Sequence, residues 1–318
     1  MTIASAADSG VLAPKVAVCA VTYSRPVGLA RLLAGLNQLS FAGGAAPNIV
    51  IIVVDNDALG SGASVCTEWG PRLRWPLRYE HEPRRGIAQA RNRAVSAAIS
   101  AEFIAFIDDD EVPSPGWLQE LLTVQEQFGA DVVCGPVLPE FCAPVPPWLR
   151  PFFQRRRHLT GDTLPWASTN NALVRRAAAD QLGVWFDEQL GLTGGEDTHF
   201  FFRLARLQSR MVWADKAVVS EFIPDSRITV AWVLRRAYRA GQTLGFCDRT
   251  IGATLGQRAT RLAKGCFRLL EGLLTLPIGV VRGREATIRS LRRVCWGAGS
   301  ITGLVGGRYE EYRKVHGH

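Results

Sequence analysis

The nine residues Phe103–Glu111, FIAFIDDDE, constrain the fold of this chain more than any other stretch. Five apolar residues in a row fit a short strand covered on both faces, as in parallel sheets flanked by helices. The run stops at Asp108, Asp109 and Asp110, with Glu111 beside them. Four carboxylates at one strand end repel one another and are costly without a cation. An oxygen-only cluster suits Mg²⁺ or Mn²⁺, ions that keep waters and also take ligand phosphates. In open α/β sheets, ligands sit at the carboxyl ends of strands. The stretch therefore points to a metal–diphosphate site. The competing reading is a solvated acidic turn ahead of a helix opened by Ser114 and Pro115.

The same alternation runs through the first half of the chain. Val16–Thr22 (VAVCAVT) reads as a buried strand, and Ser24 and Pro26 as helix-start signals. Leu29, Leu32, Leu33, Leu36 and Leu39 then recur at helical spacing. Ile49–Val54 (IVIIVV) is a second strand, ending in Asp55-Asn56-Asp57. Gly86 precedes a helix over Ile87–Ile99 that carries Arg91, Asn92 and Arg93. Phe103–Ile107 is the third strand; Trp117, Leu118, Leu121, Leu122, Val124 and Phe128 mark the next helix, and Val132–Val137 reads as a further strand. This βαβαβ rhythm predicts an α/β fold with a mostly parallel sheet flanked by helices on both faces.

Beyond Val137 the pattern loosens into a long connection with Pro139, Pro144, Pro146, Pro147 and Pro151 among aromatic residues, followed by Arg155-Arg156-Arg157. Long loops of this kind inside a compact domain are often functional. Helical signals return over Arg175–Leu182, with Gly183 as a stop. A strand is expected around Met211–Ser220, and helices around Thr229–Leu244, Arg258–Leu274 and Arg284–Leu304. Gly194-Gly195-Glu196-Asp197 is a second chemical motif: two carboxylates open a helix behind two glycines. Acidic residues in a first turn suit the helix dipole. They equally suit a general base held near a reacting hydroxyl, with glycines permitting a close backbone approach or a mobile loop.

Charge divides the chain of 318 residues. From Ile228 to His318 there are 16 Lys/Arg against 5 Asp/Glu, a net of +11; the remainder carries −3. Such asymmetry suits a polyanionic partner. The domains read as a flexible tail over 1–14, a catalytic domain over 15–227 and a basic, amphipathic helical region over 228–318. The tail has no basic, apolar leader pattern. No apolar run reaches the length of a membrane span; Gly272–Val281 is apolar for ten residues only. In the last third, Arg289, Arg292 and Arg293 interleave with Ile288, Leu291, Val294 and Trp296. An interfacial membrane element and a helical cap on the catalytic domain both fit this pattern. Nucleic acid does not fit, because the arginines are spread over several helices without a recognition motif. Seven scattered cysteines without a CxxC pair argue against a disulfide framework or a zinc site.

Taken in order, VAVCAVTYSRP, VVDND, RRGIAQARN, FIDDDE and GGEDTHFFFRL resemble the family 2 glycosyltransferases of the GT-A fold. SEFIPDSRITVAWVLRRAYRAG resembles the bacterial exopolysaccharide branch, the succinoglycan-type sugar transferases. The resemblance spans about residues 15 to 245. It implies a GT-A, Rossmann-like sheet with a C-terminal helical extension. It also implies an inverting transfer from a UDP- or GDP-sugar to a glycan or polyprenyl-diphosphate-linked acceptor, assisted by Mg²⁺ or Mn²⁺, on or near the inner face of the cell membrane.

Carried onto residues, the resemblance puts Thr22 and Tyr23 beside the nucleotide base and has Asp55 bond the base ring. Arg91 and Asn92 lie near base and phosphates. Asp108 and Asp110 form a DxD-type pair, with Asp110 on the metal and Asp109 or Asp108 on the ribose or a metal-bound water. Asp197 is the base, and Glu196 its neighbour or a ligand of the acceptor hydroxyl. Many relatives complete the metal site with a histidine where this chain has Val218-Val219-Ser220-Glu221; Glu221 replaces it, or that ligand is missing. His81, His158 and His199 read as surface or packing residues. The QxxRW element of processive synthases is not evident, since Trp232-Val233-Leu234-Arg235-Arg236 has the wrong order, so single-sugar addition is expected. Two other classes remain. A sugar-phosphate nucleotidylyltransferase needs glycines that Thr22–Pro26 lacks. A non-catalytic assembly factor has no need of Asp110 and Asp197.

Overall fold

A computed structural model describes residues 14–42, 46–154 and 157–307. The expected N-terminal tail, Arg155 and Arg156, and the last basic residues from 308 onward lie outside the described residues.

The chain opens with β1 (Lys15–Thr22), α1 (Pro26–Asn37), β2 (Asn48–Asp55), α2 (Ala63–Trp69), β3 (Leu77–His81), α3 (Ile87–Ala97) and β4 (Phe103–Ile107). It continues with β5 (Glu111–Pro113), α4 (Trp117–Phe128), β6 (Val132–Cys134), β7 (Val137–Phe141), β8 (Asn171–Arg175) and the short α5 (Arg176–Ala179). Then come α6 (Glu196–Arg206), β9 (Met211–Trp213), β10 (Val219–Ile223), α7 (Val230–Thr250), α8 (Leu255–Arg282) and α9 (Arg284–Leu304).

Seven strands form one sheet in the order β3-β2-β1-β4-β8-β6-β9. The β3, β2, β1 and β4 pairings are parallel, as is β6 with β9; β8 runs antiparallel to both its neighbours. A small second sheet, β5-β10-β7, lies beside the strand ends. Alternate residues of β1 enter two different cores. Val16, Val18 and Ala20 pack with the leucines of α1 and with Trp117, Leu118 and Leu121 of α4. Ala17 and Cys19 face the other side, with the alanines of α3 and the aromatic residues Trp185, Phe186, Phe200 and Phe201. This two-sided burial is why these strands read as unbroken apolar runs.

The structure departs from the sequence reading in several places. β3 and α2 were not expected. β3 is an edge strand, LRYEH, in which Arg78, Glu80 and His81 break any apolar run. The single strand expected over Val132–Val137 is two strands in two sheets, broken at Gly135-Pro136. The one expected around Met211–Ser220 likewise splits into β9 and β10. The helical signal over Arg175–Leu182 is a four-residue helix and a 3₁₀ turn ending at Gly183, as expected, but the strand that precedes it, β8 over Asn171–Arg175, was not. The apolar Gly272–Val281 lies inside a single 28-residue helix that continues through Pro277. Among the described residues no helix is long and apolar enough to cross a membrane.

The C-terminal helices pack by a different device. Gly265, Gly272 and Gly279, one every seven residues, are the buried positions of α8. A Cβ on Gly272 would stand 2.7 Å from the Ser290 carbonyl oxygen and 2.8 Å from the Val294 amide of α9. On the other side of α9, a Cβ on Gly299 would run into the Tyr238 carbonyl of α7. Helices α7, α8 and α9 thus meet backbone to backbone. A small third core joins α7 and α9 to the proline-rich connection, where the Phe153 and Trp232 rings stack at 5.5 Å.

Candidate active site

The C-terminal ends of β1 and β4 and the start of α6 open into one cavity of about 590 Å³. Three segments bring carboxylates to it. The β4 strand delivers Asp108, Asp109 and Asp110, β10 delivers Glu221, and the start of α6 delivers Glu196 and Asp197. The aromatic cluster fixes α6, with Trp185 stacked on Phe200 at 5.4 Å and Phe186 against the same ring at 4.8 Å. Gly194 and Gly195 turn the chain into the helix at φ of 71° and 86°. A Cβ on Gly195 would lie 2.5 Å from the Thr243 side chain of α7, so glycine lets α6 begin directly against that helix.

Arginines meet the carboxylates. Arg25 Nη1 reaches Asp109 at 2.9 Å and Asp110 at 3.0 Å. Arg227 Nη1 reaches Asp110 and Glu221, each at 3.2 Å. Arg91, buried on α3, donates to Asp108 at 3.1 Å and to Glu196. One guanidinium therefore ties the β4 cluster to the start of α6. Thr22 Oγ1 donates to Asp109 at 2.8 Å. Behind the cluster, Glu111 accepts from the Asp108 amide at 2.9 Å and from Asn170 at 3.1 Å.

Burial and crowding move these acids upward. Desolvation raises Asp109 to about 6 against the pull of Arg25. Desolvation in the cleft raises Asp108; Arg91 opposes this, and Asp110, Glu221 and Asp197 add to it. Glu111 is pushed well above its ordinary value by burial and by Asp108. Burial lifts Glu196 to about 7, with Arg91 opposing and Asp197 reinforcing the rise. Glu196 is 2% exposed, and its Oε2 is buried without a hydrogen-bond partner. Asp197 borders the cavity, its Oδ1 held by the Thr198 amide at 2.6 Å.

Thr22, Tyr23, Arg91, Asp108, Asp109, Asp110, Glu196, Asp197 and Glu221 share the cavity wall. Asp55 and Asn92 do not. Asp55 is fully buried and accepts from the Asp57 amide at 3.0 Å, the Gly62 amide at 2.6 Å and the Tyr79 hydroxyl at 3.2 Å. Its neighbour Asn56 faces the cavity instead. Asn92 brackets the Phe186 backbone, donating to its carbonyl at 2.8 Å and accepting from its amide at 3.0 Å. Among the described residues no three His, Cys, Asp or Glu side chains group as a metal-binding cluster, so Asp110, Asp108 and Glu221 do not form a ready cage. His81, His158 and His199 are not in the cavity wall. His199 packs on Phe246, and burial lowers it to about 4.

Most of the basic and aromatic lining carries no functional signal in the sequence. Arg25 and Arg227 lie within motif segments, TYSRP and IPDSRITV, but nothing local marks either arginine as facing the acidic cluster. Trp232, Arg236 and Arg239 come from α7 and Trp296 from α9. Their helical spacing of four and three residues placed them on one face, but only the tertiary fold turns that face toward Asp197.

Residues 17–183 match the family model for glycosyl transferase family 2, and residues 103–305 that for glycosyl transferase family group 2. The chain belongs to glycosyl transferase family 2. This family 2 chain is 35% identical over 305 residues, 92% of itself and 92% of its relative, to the succinoglycan biosynthesis protein ExoM of Rhizobium meliloti (strain 1021). Its fold is similar to that of the mannosyltransferase PcManGT from Pyrobaculum calidifontis, solved in complex with GDP-Man and Mn²⁺. The TM-score is 0.64 at 18% identity, covering 92% of this chain and 88% of that one. It is also similar to residues 1–349 of S. aureus TarS, solved with UDP, at a TM-score of 0.53 and 17% identity over 93% of both chains. The expected GT-A architecture and family are thus borne out. The family 2 fold places the acidic end of β4 and the start of α6 in one cleft.

Proposed function

We propose that this glycosyltransferase moves a sugar from a UDP- or GDP-sugar to a hydroxyl of a glycan or polyprenyl-diphosphate-linked acceptor, in assembly of a cell-surface polysaccharide. One observation carries the reading: Arg91 bridges Asp108, at the end of β4, to Glu196, at the start of α6. This bridge joins a diphosphate-binding edge to a proton-accepting edge across one cavity.

The edges divide the work. Thr22, Tyr23 and Asn56 border the nucleoside end, and Asp55 orders the turn behind them through Gly62 and Tyr79. Asn92 keeps α3, and so Arg91, in place through Phe186. Asp197 takes the proton of the acceptor hydroxyl, because it is half-buried on the cavity wall while Glu196, on the same wall, is only 2% exposed and paired with Arg91. The new glycosidic bond forms on the face opposite the departing diphosphate, and the electron pair of the broken bond leaves with that diphosphate. A single displacement inverts the anomeric carbon.

The donor set fits a divalent ion of the Mg²⁺ or Mn²⁺ kind, because it is carboxylate only and such ions take one or two carboxylates plus phosphates and water. Asp110 would hold it, with Asp108 or Glu221 beside it; when bound, it offsets charge on the leaving diphosphate. Arg25 and Arg227, which pair with Asp110, are the cations that would meet the phosphate oxygens beside it.

The test is nucleotide release from UDP- and GDP-sugars with and without Mn²⁺, together with the anomeric configuration of the product by NMR. The expected result is metal-stimulated transfer with inversion. Asp110→Asn should abolish the Mn²⁺ dependence of nucleotide binding while the fold persists. A retained configuration overturns the single displacement, and full activity of Asp110→Asn overturns the metal assignment.

A further inference from the structure

Three indoles line the cavity, and packing accounts for only one of them. Trp232 is 7% exposed. Its ring stacks on Phe153 at 5.5 Å, 7° from parallel, and the Arg236 guanidinium stands 5.0 Å from its centre. Among the described residues, no ring or guanidinium stacks on Trp166 or Trp296, and neither indole N–H donates to another residue.

Both open indoles are held at the cavity by the fold. Trp166 is 50% exposed, yet the chain around it is fixed. Leu164 and Ala167 are buried in the core on the α3 side of the sheet, and the Leu164 amide donates to the Met211 carbonyl at 2.9 Å. The segment then enters β8 beside the acidic end of β4, with Asn171 opposite Ile107. Trp296 arrives from α9. A Cβ on Gly241 would stand 2.1 Å from the Trp296 carbonyl oxygen, so that glycine lets α9 lie close against α7. Trp296 thereby joins Ala240 and Thr243 of α7 on the cavity wall. Thr243 is the side chain that Gly195 abuts, so this wall adjoins the start of α6 and Asp197.

An indole with an open face and an unused N–H offers an apolar plane and one donor. A pyranose with equatorial hydroxyls matches both. Its axial C–H bonds make an apolar face, and its rim of hydroxyls accepts from N–H groups and donates to carboxylates. A diphosphate matches neither, since its oxygens seek cations, and Arg25 and Arg227 stand with Asp110 instead. A nucleobase would stack on an indole too, but Tyr23 borders the nucleoside end, with the Arg85 guanidinium 5.0 Å from its ring centre. One indole supports one sugar ring; two on separate elements suit a run of sugars.

We propose that Trp166 and Trp296 form the platform on which a neutral glycan acceptor lies, its pyranose rings on the indole faces and its terminal hydroxyl at Asp197. This rests on the glycosyl-transfer reading and names the acceptor by its sugar rings rather than by any lipid or diphosphate beyond them. The full chain, with Mn²⁺ and UDP or GDP, is titrated in a calorimeter with glucose, cellotetraose, laminaritetraose and gentiotetraose. Glucose units are the probe because all their ring substituents are equatorial in these β-linked chains. At least one tetrasaccharide should bind about tenfold more tightly than glucose, the effect of one further aromatic contact. Trp166→Leu and Trp296→Leu keep apolar bulk and remove the ring. Each should weaken tetrasaccharide binding about tenfold, and phenylalanine at either position should restore most of it. Affinity for the nucleotide should not change. Melting curves check folding; if Trp296→Leu does not fold, Trp166→Leu, at the half-exposed position, decides. No binding by any tetrasaccharide, equal affinity for glucose, or binding that both leucine variants leave intact overturns the inference. Nucleotide affinity that falls with either ring assigns that ring to the donor and overturns it too. A chain that binds neither UDP nor GDP fails the transfer reading itself, whereas one that binds nucleotide but no glycan fails the platform alone.

Discussion

The sheet-bearing part of the molecule and its three C-terminal helices solve the same packing problem with opposite materials. Around the sheet, large apolar side chains fill two cores and polar groups are confined to the strand ends, where function collects. In the helices, contact is made through Gly241, Gly245, Gly265, Gly272, Gly297 and Gly299, and much of the large apolar surface is left outside. The first arrangement holds charged groups rigidly at the mouth of a cleft. The second leaves a helix face in solvent. Yet the two are not independent, because Trp232, Arg236, Arg239 and Trp296 from the helices complete the cleft that the sheet begins.

The largest expected effect belongs to the sheet side. Asp197→Asn should cut transfer by about 10²-fold or more, the usual range for a lost base. Nucleotide binding should persist in calorimetry. If Glu196→Gln is the dead variant and Asp197→Asn is nearly normal, the two carboxylates exchange roles.

An intermediate effect should separate the inner from the outer faces of the helices. Gly299→Val forces a side chain into the α7 backbone and should cost about 1–3 kcal/mol, seen as a lowered melting temperature. Leu274→Ser, on the exposed face of α8, should stay within about 0.5 kcal/mol. Equal losses from both would break the contrast between the inner and outer faces.

The subtlest effect is a slope. Folding raises Glu196 from 4.5 to about 7, chiefly by desolvation. Between those values the folded chain holds a proton that the unfolded chain has released. This group's contribution is therefore complete below the unfolded value and is lost as pH rises through the folded one. Glu196→Gln should flatten that fall in melting curves taken from about pH 5 to about pH 8.

The core strands were legible because burial on both faces leaves an apolar run that no other element explains: Phe103–Ile107 is β4 with the same bounds, and Arg284–Leu304 is α9. The edge strand β3 was invisible because LRYEH is covered on one side only. β8 was missed because nothing in NALVR distinguishes an antiparallel insertion from the start of a helix. At the site, the carboxylates announced themselves by crowding. Arg25 and Arg227, which answer them, did not, because a single arginine in a loop has no local reason for its place. Asp55 stood at the expected strand end, but the sequence did not say that Gly62 and Tyr79 occupy its oxygens.

The seven-residue spacing of Gly265, Gly272 and Gly279 has a consequence for how this chain diverges. A seven-residue period drifts by about 20° per repeat on a straight helix, so the glycine row keeps contact only if the helices wind slightly around one another. Each glycine is then fixed by the backbone it touches, and its neighbours by nothing but water-aversion. Lineages of this helix should therefore carry two clocks on one cylinder. A nearly stopped one ticks at every seventh position, and a fast one runs on the opposite face, where Leu, Ile, Val and Phe exchange freely.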